Sequence, residues 1–193
     1  TSNQLGATGD FIPVFEKNNI KTANLEVLNI FPFIIRQTRD LTGGGDGFIL
    51  VNKEGKRFTS ESITYATRFS TAQKILAQPD SAAFYIYDQK LYDSSYRLQK
   101  HTAQGLHTKA NTLDELADKL GIDKDNLKAT VKEFNMAVRG EIKDSFREKP
   151  TKKEFMSEGP YYGVQVESAV HMTRGGVVAD EKTQVYYENG NVV

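Results

Sequence analysis

Hydrophobic positions along this chain fall into strand-like and helix-like stretches, separated by glycine and proline punctuation. Gly47-Phe48-Ile49-Leu50-Val51-Asn52 is a short unbroken apolar run and predicts a buried strand. Lys53-Glu54-Gly55-Lys56 is a turn, and Arg57-Phe58 begins the return. Ala82 to Tyr87, rich in aromatics, and Tyr162 to Val170 predict two further strands. Ser62 to Gln78 predicts a helix stopped before Pro79. Thr112-Leu113-Asp114-Glu115 is a capping box, a hydroxyl cap with a carboxylate three residues on. Leu113, Leu116, Ala117 and Leu120 then share one helix face, and Gly121 ends it. Leu127, Val131, Phe134 and Val138 mark a second helix ending at Gly140, so the two form a helical hairpin.

The remaining segments are less regular. Thr8-Gly9-Asp10 caps a short helix through Phe11, Val14 and Phe15, with Pro13 in its first turn. Leu25 to Phe33 is an apolar run ending near Pro32, and Gly43 to Gly47 reads as a flexible loop. Residues 141–154 are charged and poorly periodic and read as a solvated loop. Val185 to Glu188, Asn189-Gly190 and Asn191 to Val193 carry the signature of a type I′ hairpin. Its second strand has only begun at Val193, and the chain opens on Thr-Ser-Asn-Gln, so an excised piece of a longer protein is expected.

Composition narrows the function classes. The 193 residues suffice for one well-cored domain or one and a half small ones. Lys+Arg and Asp+Glu both number 25, so no basic excess points to nucleic acid and no polybasic cluster to a membrane. No apolar run reaches the ~20 residues of a membrane span. Cys is absent, which excludes disulfides, thiol catalysis and thiolate metal sites. His101 and His107 read as exposed and lack a carboxylate at metal spacing, so no metal site is expected. Gly43 to Gly47 is not a phosphate loop, because no helix follows it and Gly-x-Gly-x-x-Gly is missing. A soluble protein is expected, with no compartment indicated.

The richest segment runs from Gly159-Pro160-Tyr161-Tyr162 to His171-Met172-Thr173-Arg174-Gly175-Gly176. It sets a histidine between a β-type run and paired glycines, as at the rim of a ligand site. These two motifs resemble the Gly-Pro-Phe-Tyr and His-His-Thr-Met-Gly-Gly of flavoproteins of the fumarate reductase and succinate dehydrogenase type. Ala7-Thr8-Gly9-Asp10 is similar to their Ala-Thr-Gly-Asp-Gly, and Leu25-Glu26 … Asn29-Ile30-Phe31-Pro32 to their Met-Glu … Gln-x-His-Pro. Val51-Asn52-Lys53-Glu54-Gly55-Lys56-Arg57-Phe58 … Glu61 resembles Val-Asn-x-Glu-Gly-x-Arg-Phe-x-Asn-Glu, and Asp144 with Phe146-Arg147 follows in the same order.

The resemblance implies an α+β substrate (capping) domain, with a small mixed sheet and several helices, excised from a larger FAD-binding flavoprotein. Residues 1–32 and 160–193 would be flanks of the flavin domain and 33–159 the capping domain. It implies an oxidoreductase that passes hydride between FAD and an activated C=C bond. Its partners would be the missing flavin domain and a small carboxylic-acid substrate. FAD is expected for the full-length parent and not for this chain alone. Cofactor contacts would fall to Thr8, Gly9, Asp10, Gly175 and Gly176, and substrate contacts to His171, Thr173 and Arg174.

Several positions depart from the family pattern. Its second histidine is Met172, its methionine is Arg174, and the histidine of Gln-x-His-Pro is Phe31. Its Thr-Glu-x-x-Arg proton relay is replaced by Asp40-Leu41-Thr42-Gly43-Gly44. The proton-donating arginine, four residues after Glu61, is Tyr65, and Arg68 lies three residues further on. Catalytic candidates are therefore Tyr65, Arg68 and His171. Tyr65 as a phenolic acid also suits a 3-ketosteroid-type dehydrogenase, and an inert binding or structural module is a third alternative. Against these roles stand a packed Tyr65 ring, a solvated Arg68, a backbone-bonded His171 and an Arg174 surface ion pair.

Overall fold

The computed structural model describes residues 2–149, 151–155 and 157–193. Pro150, within the segment read as a solvated loop, lies outside them, as do Thr1 and Met156. The described elements, in chain order, begin with α1 (Ile12–Lys17), β1 (Thr22–Ala23), β2 (Leu28–Ile34) and β3 (Phe48–Val51). They continue with α2 (Arg68–Leu76), β4 (Ala82–Asp88), α3 (Gln89–Ser94), α4 (Tyr96–Ala103) and β5 (Thr108–Ala110). Next come α5 (Leu113–Leu120), α6 (Lys124–Val138), β6 (Tyr161–Thr173) and β7 (Gly176–Val177). Contacts divide the chain into one unit of 1–30 with 170–193 and a second of 31–169, the division falling inside β2 and β6.

The second unit is built on a sheet ordered β2-β6-β4-β3, with β5 also against β6. The β3–β4, β4–β6 and β5–β6 pairs are antiparallel. Successive residues of a strand face opposite sides, so Phe48, Leu50, Ala83, Tyr85 and Tyr87 enter one core and Ile49, Val51, Phe84 and Ile86 the other. Both faces are covered, which is why β3 and β4 read as unbroken apolar runs. Ile75, Leu91 and Leu98 bring α2, α3 and α4 to the first core, while Leu116, Leu127, Val131 and Phe134 bring α5 and α6 to the second. Thr112 Oγ1 accepts the Glu115 N–H at 3.1 Å, Asp123 caps α6 in the same way, and Gly121 closes α5 at φ 68°.

Four expectations are corrected. Helix α2 starts at Arg68, not Ser62, because local hydroxyls compete for the backbone. The Thr64 N–H donates to Thr67 Oγ1 at 2.8 Å, and the Thr67 hydroxyl donates to the Ser62 carbonyl at 2.9 Å, holding a turn. His101 and His107 are buried, each 5% exposed. The 141–154 segment is not simply solvated, since Asp144, Arg147 and Thr151 are buried. The 187–191 loop is not type I′. The Gly190 N–H bonds the Tyr187 carbonyl at 3.0 Å, and only Gly190 has positive φ, at 87°, so it is a type I turn followed by a glycine bulge.

In the other unit, β1 pairs antiparallel with β7, and the Ile20↔Tyr187, Ala179↔Val185 and Tyr186↔Val192 bridges extend the pairing. Helix α1 carries Pro in its first turn, as its sequence requires, but its N-cap is Phe11 without a side-chain cap, so Thr8-Gly9-Asp10 does not cap it; the Thr8 hydroxyl donates to Asp10 instead.

Candidate functional site

Arg68, the first residue of α2, lines a cavity of about 250 Å³ in the second unit. Phe31, Phe33, Phe48 and Ile63 form its apolar walls, with Thr42, the Gly43–Gly45 backbone, Glu61 and Arg97 between them. The Arg68 guanidinium lies 5.1 Å from the Phe31 ring centroid and 4.6 Å from that of Tyr65. Its Nε is buried and has no hydrogen-bond partner among the described residues. Two aromatic faces thus hold a cation that forms no ion pair with a carboxylate among the described residues. Tyr65 is 81% exposed and is not part of the cavity lining. The structure therefore brings Tyr65 and Arg68 into contact and gives the cavity to Arg68.

The cavity floor is fixed by an ion cluster. Glu61 Oε1 accepts from the Leu50 N–H at 3.2 Å and from Arg57 Nε at 2.8 Å. Glu61 Oε2 accepts from Arg57 Nη2 at 2.8 Å and from Arg147 Nε at 3.0 Å. Asp144 sits 3.3 Å from Arg57 Nη2 and accepts the Phe146 and Arg147 N–H groups. Two cations and two carboxylates balance, and the fork geometry of arginine satisfies both oxygens of Glu61. Burial works against the Arg57 charge, but the Glu61 hydrogen bond and the Glu61 and Asp144 charges outweigh it and raise its pKa.

Beside the cavity lies a second buried network. Thr42 Oγ1 is 3.0 Å from both His101 Nδ1 and His107 Nε2, and Tyr87 Oη is 2.7 Å from His107 Nδ1. One hydroxyl between two imidazoles can donate to only one of them. Burial, reinforced by His101, pushes His107 down to about 3, and burial also lowers His101. Both rings are therefore neutral near pH 7. Thr42 and Arg97 were not anticipated as lining residues. The signals for Arg97 were the Asp88 and Ser95 caps of α3 and α4, which accept the Leu91 and Leu98 N–H groups.

The first unit holds the other candidates. Gly6 to Ile12, Phe15, Leu25, Thr173, Gly175 and Gly176 line a cavity of about 380 Å³. Thr8, Gly9, Asp10, Thr173, Gly175 and Gly176 are thus brought together, whereas His171 and Arg174 lie outside the lining. His171 Nδ1 is 3.1 Å from the Ser2 hydroxyl, and the Arg174 N–H donates to the Val27 carbonyl at 2.9 Å. The two glycines serve different needs. A Cβ on Gly175 would overlap the Asn24 and Leu25 backbone, whereas one on Gly176 would meet nothing within 4 Å. An open glycine edge opposite Phe11 and Phe15, stacked at 6.0 Å, fits a flat ring such as isoalloxazine. Among the described residues no cluster of His, Asp and Glu could hold a metal, and no helix is long and apolar enough to cross a membrane.

The architecture is mixed α/β, with a glycine-edged cavity in one unit and an arginine-bearing cavity in the other. The pattern of the FAD binding domain family matches residues 1–193, and the chain belongs to that family. It is 34% identical over 201 residues to the fumarate reductase (cytochrome) of Shewanella frigidimarina, covering 100% of this chain and 34% of that protein. It is similar to the open conformation of a flavocytochrome c3 fumarate reductase, with a TM-score of 0.84 and 27% identity over 100% of this chain and 34% of the other. The fold also resembles that of the 3-ketosteroid delta1-dehydrogenase of Sterolibacterium denitrificans, with a TM-score of 0.66 and 19% identity over 100% of this chain and 40% of the other. The chain spans about a third of the length of the fumarate reductase relatives it matches.

Proposed function

We propose that residues 31–169 form the substrate-facing part of a flavin-dependent reductase of activated C=C bonds, with Arg68 as proton donor. The observation that supports this reading most is the unneutralised Arg68 guanidinium, clamped by aromatic rings at the edge of a cavity. Bound FAD, in its reduced form, would supply a hydride to one alkene carbon. Arg68 would stabilise the negative charge developing on the neighbouring carbon and deliver the proton that completes its C–H bond. The π bond is lost, two C–H bonds form, and the saturated acid leaves. Arginine then regains its proton from solvent. Tyr65 positions the guanidinium by stacking on it. Thr8, Asp10, Thr173 and Gly176 would hold the flavin on the first unit, where the Ser2 hydroxyl lies 3.1 Å from His171 Nδ1.

A second reading is supported by the exposed Tyr65 ring and the steroid dehydrogenase fold likeness, with Tyr65 as the acid or base. One experiment separates the two. Flavin in the full-length flavoprotein is reduced anaerobically and mixed with a panel of unsaturated acids, and the oxidised protein is mixed with a saturated 3-ketosteroid. Reoxidation by an enoate is the expected result. Flavin reduction by the steroid, with no enoate reactive, would sink the first reading. The isolated chain lacks the dinucleotide fingerprint and should purify colourless; stoichiometric yellow flavin would contradict that part.

A further inference from the structure

Charge is unevenly distributed in the Arg68 cavity. Glu61 is the one carboxylate among its described lining residues, and both oxygens are filled by Leu50, Arg57 and Arg147. Thr42 Oγ1 is taken up by His101 and His107, which are neutral near pH 7. The other charged lining residues are two arginines, Arg68 and Arg97. Arg36, Arg57, Arg139 and Arg147 each meet a carboxylate, whereas neither Arg68 nor Arg97 forms an ion pair among the described residues. Proton delivery uses one of these two cations and leaves the other without a task.

Arg97 stands in the first turn of α4, and that turn is well fixed. Ser95 Oγ accepts the Leu98 N–H at 3.5 Å, and the Leu98 side chain is fully buried in the core. Lys100 follows on the same helix. Burial lowers the His101 pKa, Asp40 opposes that, and the Arg97 and Lys100 charges add to the lowering, so both cations lie close to His101. Arg97 lines the cavity and Lys100 does not. The Gly43 and Gly45 N–H groups, on the lining loop, donate to no acceptor among the described residues. A carboxylate matches such a setting, because it accepts two parallel N–H bonds from the guanidinium fork. We propose that Arg97 is a substrate-binding residue, which holds a carboxylate of the unsaturated acid and sets the alkene against Arg68. The inference rests on the cavity being the substrate face, as set out above.

The test uses the full-length flavoprotein with reduced flavin and two probes, fumarate and acrylate. For each probe that reoxidises the flavin, Arg97→Ala should raise KM by ~10-fold or more, the scale of one lost hydrogen bond to a charged group, and leave kcat within ~3-fold. Arg97→Lys keeps the charge without the fork and should recover part of that loss. Lys100→Ala removes the same charge from the same helix outside the cavity, where solvent screens it, and should leave KM within ~2-fold. KM does not move when part of the protein is misfolded. An unchanged KM in Arg97→Ala, a fall confined to kcat, or an equal rise of KM in Lys100→Ala overturns the role of Arg97 alone. Reoxidation by neither probe removes the underlying function and this proposal with it.

Discussion

Glu61 carries more of the second unit's stability than its place in a loop suggests. Its carboxylate is 0% exposed and lies against Arg57 and Arg147, whose side chains are 6% and 5% exposed. Truncation to alanine leaves two buried cations offset by Asp144, at 3.3 Å from Arg57, and by the half-exposed Asp46, at 3.6 Å from Arg147. Removing one partner of a buried ion pair costs about 3–5 kcal/mol. The Leu50 N–H, an edge donor of β3, also loses its acceptor, at about 1–3 kcal/mol. These terms overlap, so we work with about 4 kcal/mol. With a urea m-value of about 2 kcal/mol/M, the midpoint should fall by about 2 M. Glu61→Gln keeps an oxygen for Leu50 and loses only the charge, so it should fall less. The Glu54–Lys56 pair is 3.7 Å apart and well exposed, and Glu54→Ala should cost under about 0.5 kcal/mol. Urea titrations followed by far-UV circular dichroism read all three variants. A Glu61→Ala midpoint within experimental error of Glu54→Ala would refute the reasoning.

Two further predictions follow from the buried histidines and the paired glycines. His107, held near 3, and His101, also lowered, have folded pKa values below their unfolded value of about 6.5, so the unfolded chain binds more protons under that pH. Their contribution is complete above about 6.5 and is lost as pH falls, at about 1.4 kcal/mol per pH unit for each ring. Stability at pH 5 should lie about 2 kcal/mol below that at pH 7 from His107 alone, and His107→Gln should flatten the urea-midpoint profile; a profile equally steep in the variant would refute this. Gly175→Ala should destabilise the first unit by about 1–3 kcal/mol through overlap with Asn24 and Leu25, whereas Gly176→Ala should leave its melting temperature unchanged. In the full-length flavoprotein Gly176→Ala should instead weaken FAD retention, read by flavin absorbance after gel filtration; unchanged retention would remove Gly176 from the flavin cavity.

Where the sequence pattern was strong, structure followed it. The Thr112 box, the Gly121 stop and the Leu127–Val138 periodicity all lie in α5 and α6, because local caps and one buried face point to the same element. The runs of β3 and β4 were equally legible, since burial on both faces removes polar alternation. The start of α2 was not, because Thr64 and Thr67 satisfy their own backbone and hold a turn through Tyr65. The Arg68 N–H still donates to the Thr64 carbonyl at 3.0 Å, so the turn leaves Tyr65 in contact with Arg68 although it precedes the helix. Burial of Asp144, Arg147, His101 and His107 depends on partners 20 to 87 positions away, a distance that no window of sequence spans. The cavity itself draws on β2, β3, α2, α4 and two loops, so only its motif-bearing members could be named in advance.

The central claim is that Arg68, not Tyr65, delivers the proton in this chain's cavity. Single-turnover reoxidation of the reduced full-length flavoprotein by a reactive enoate tests it directly, with Arg68→Gln and Tyr65→Phe beside the parent. The account expects a fall of roughly 100- to 1000-fold for Arg68→Gln, the scale of one lost transition-state donor, and less than ~10-fold for Tyr65→Phe. A near-normal rate in Arg68→Gln, with turnover abolished in Tyr65→Phe, would contradict it.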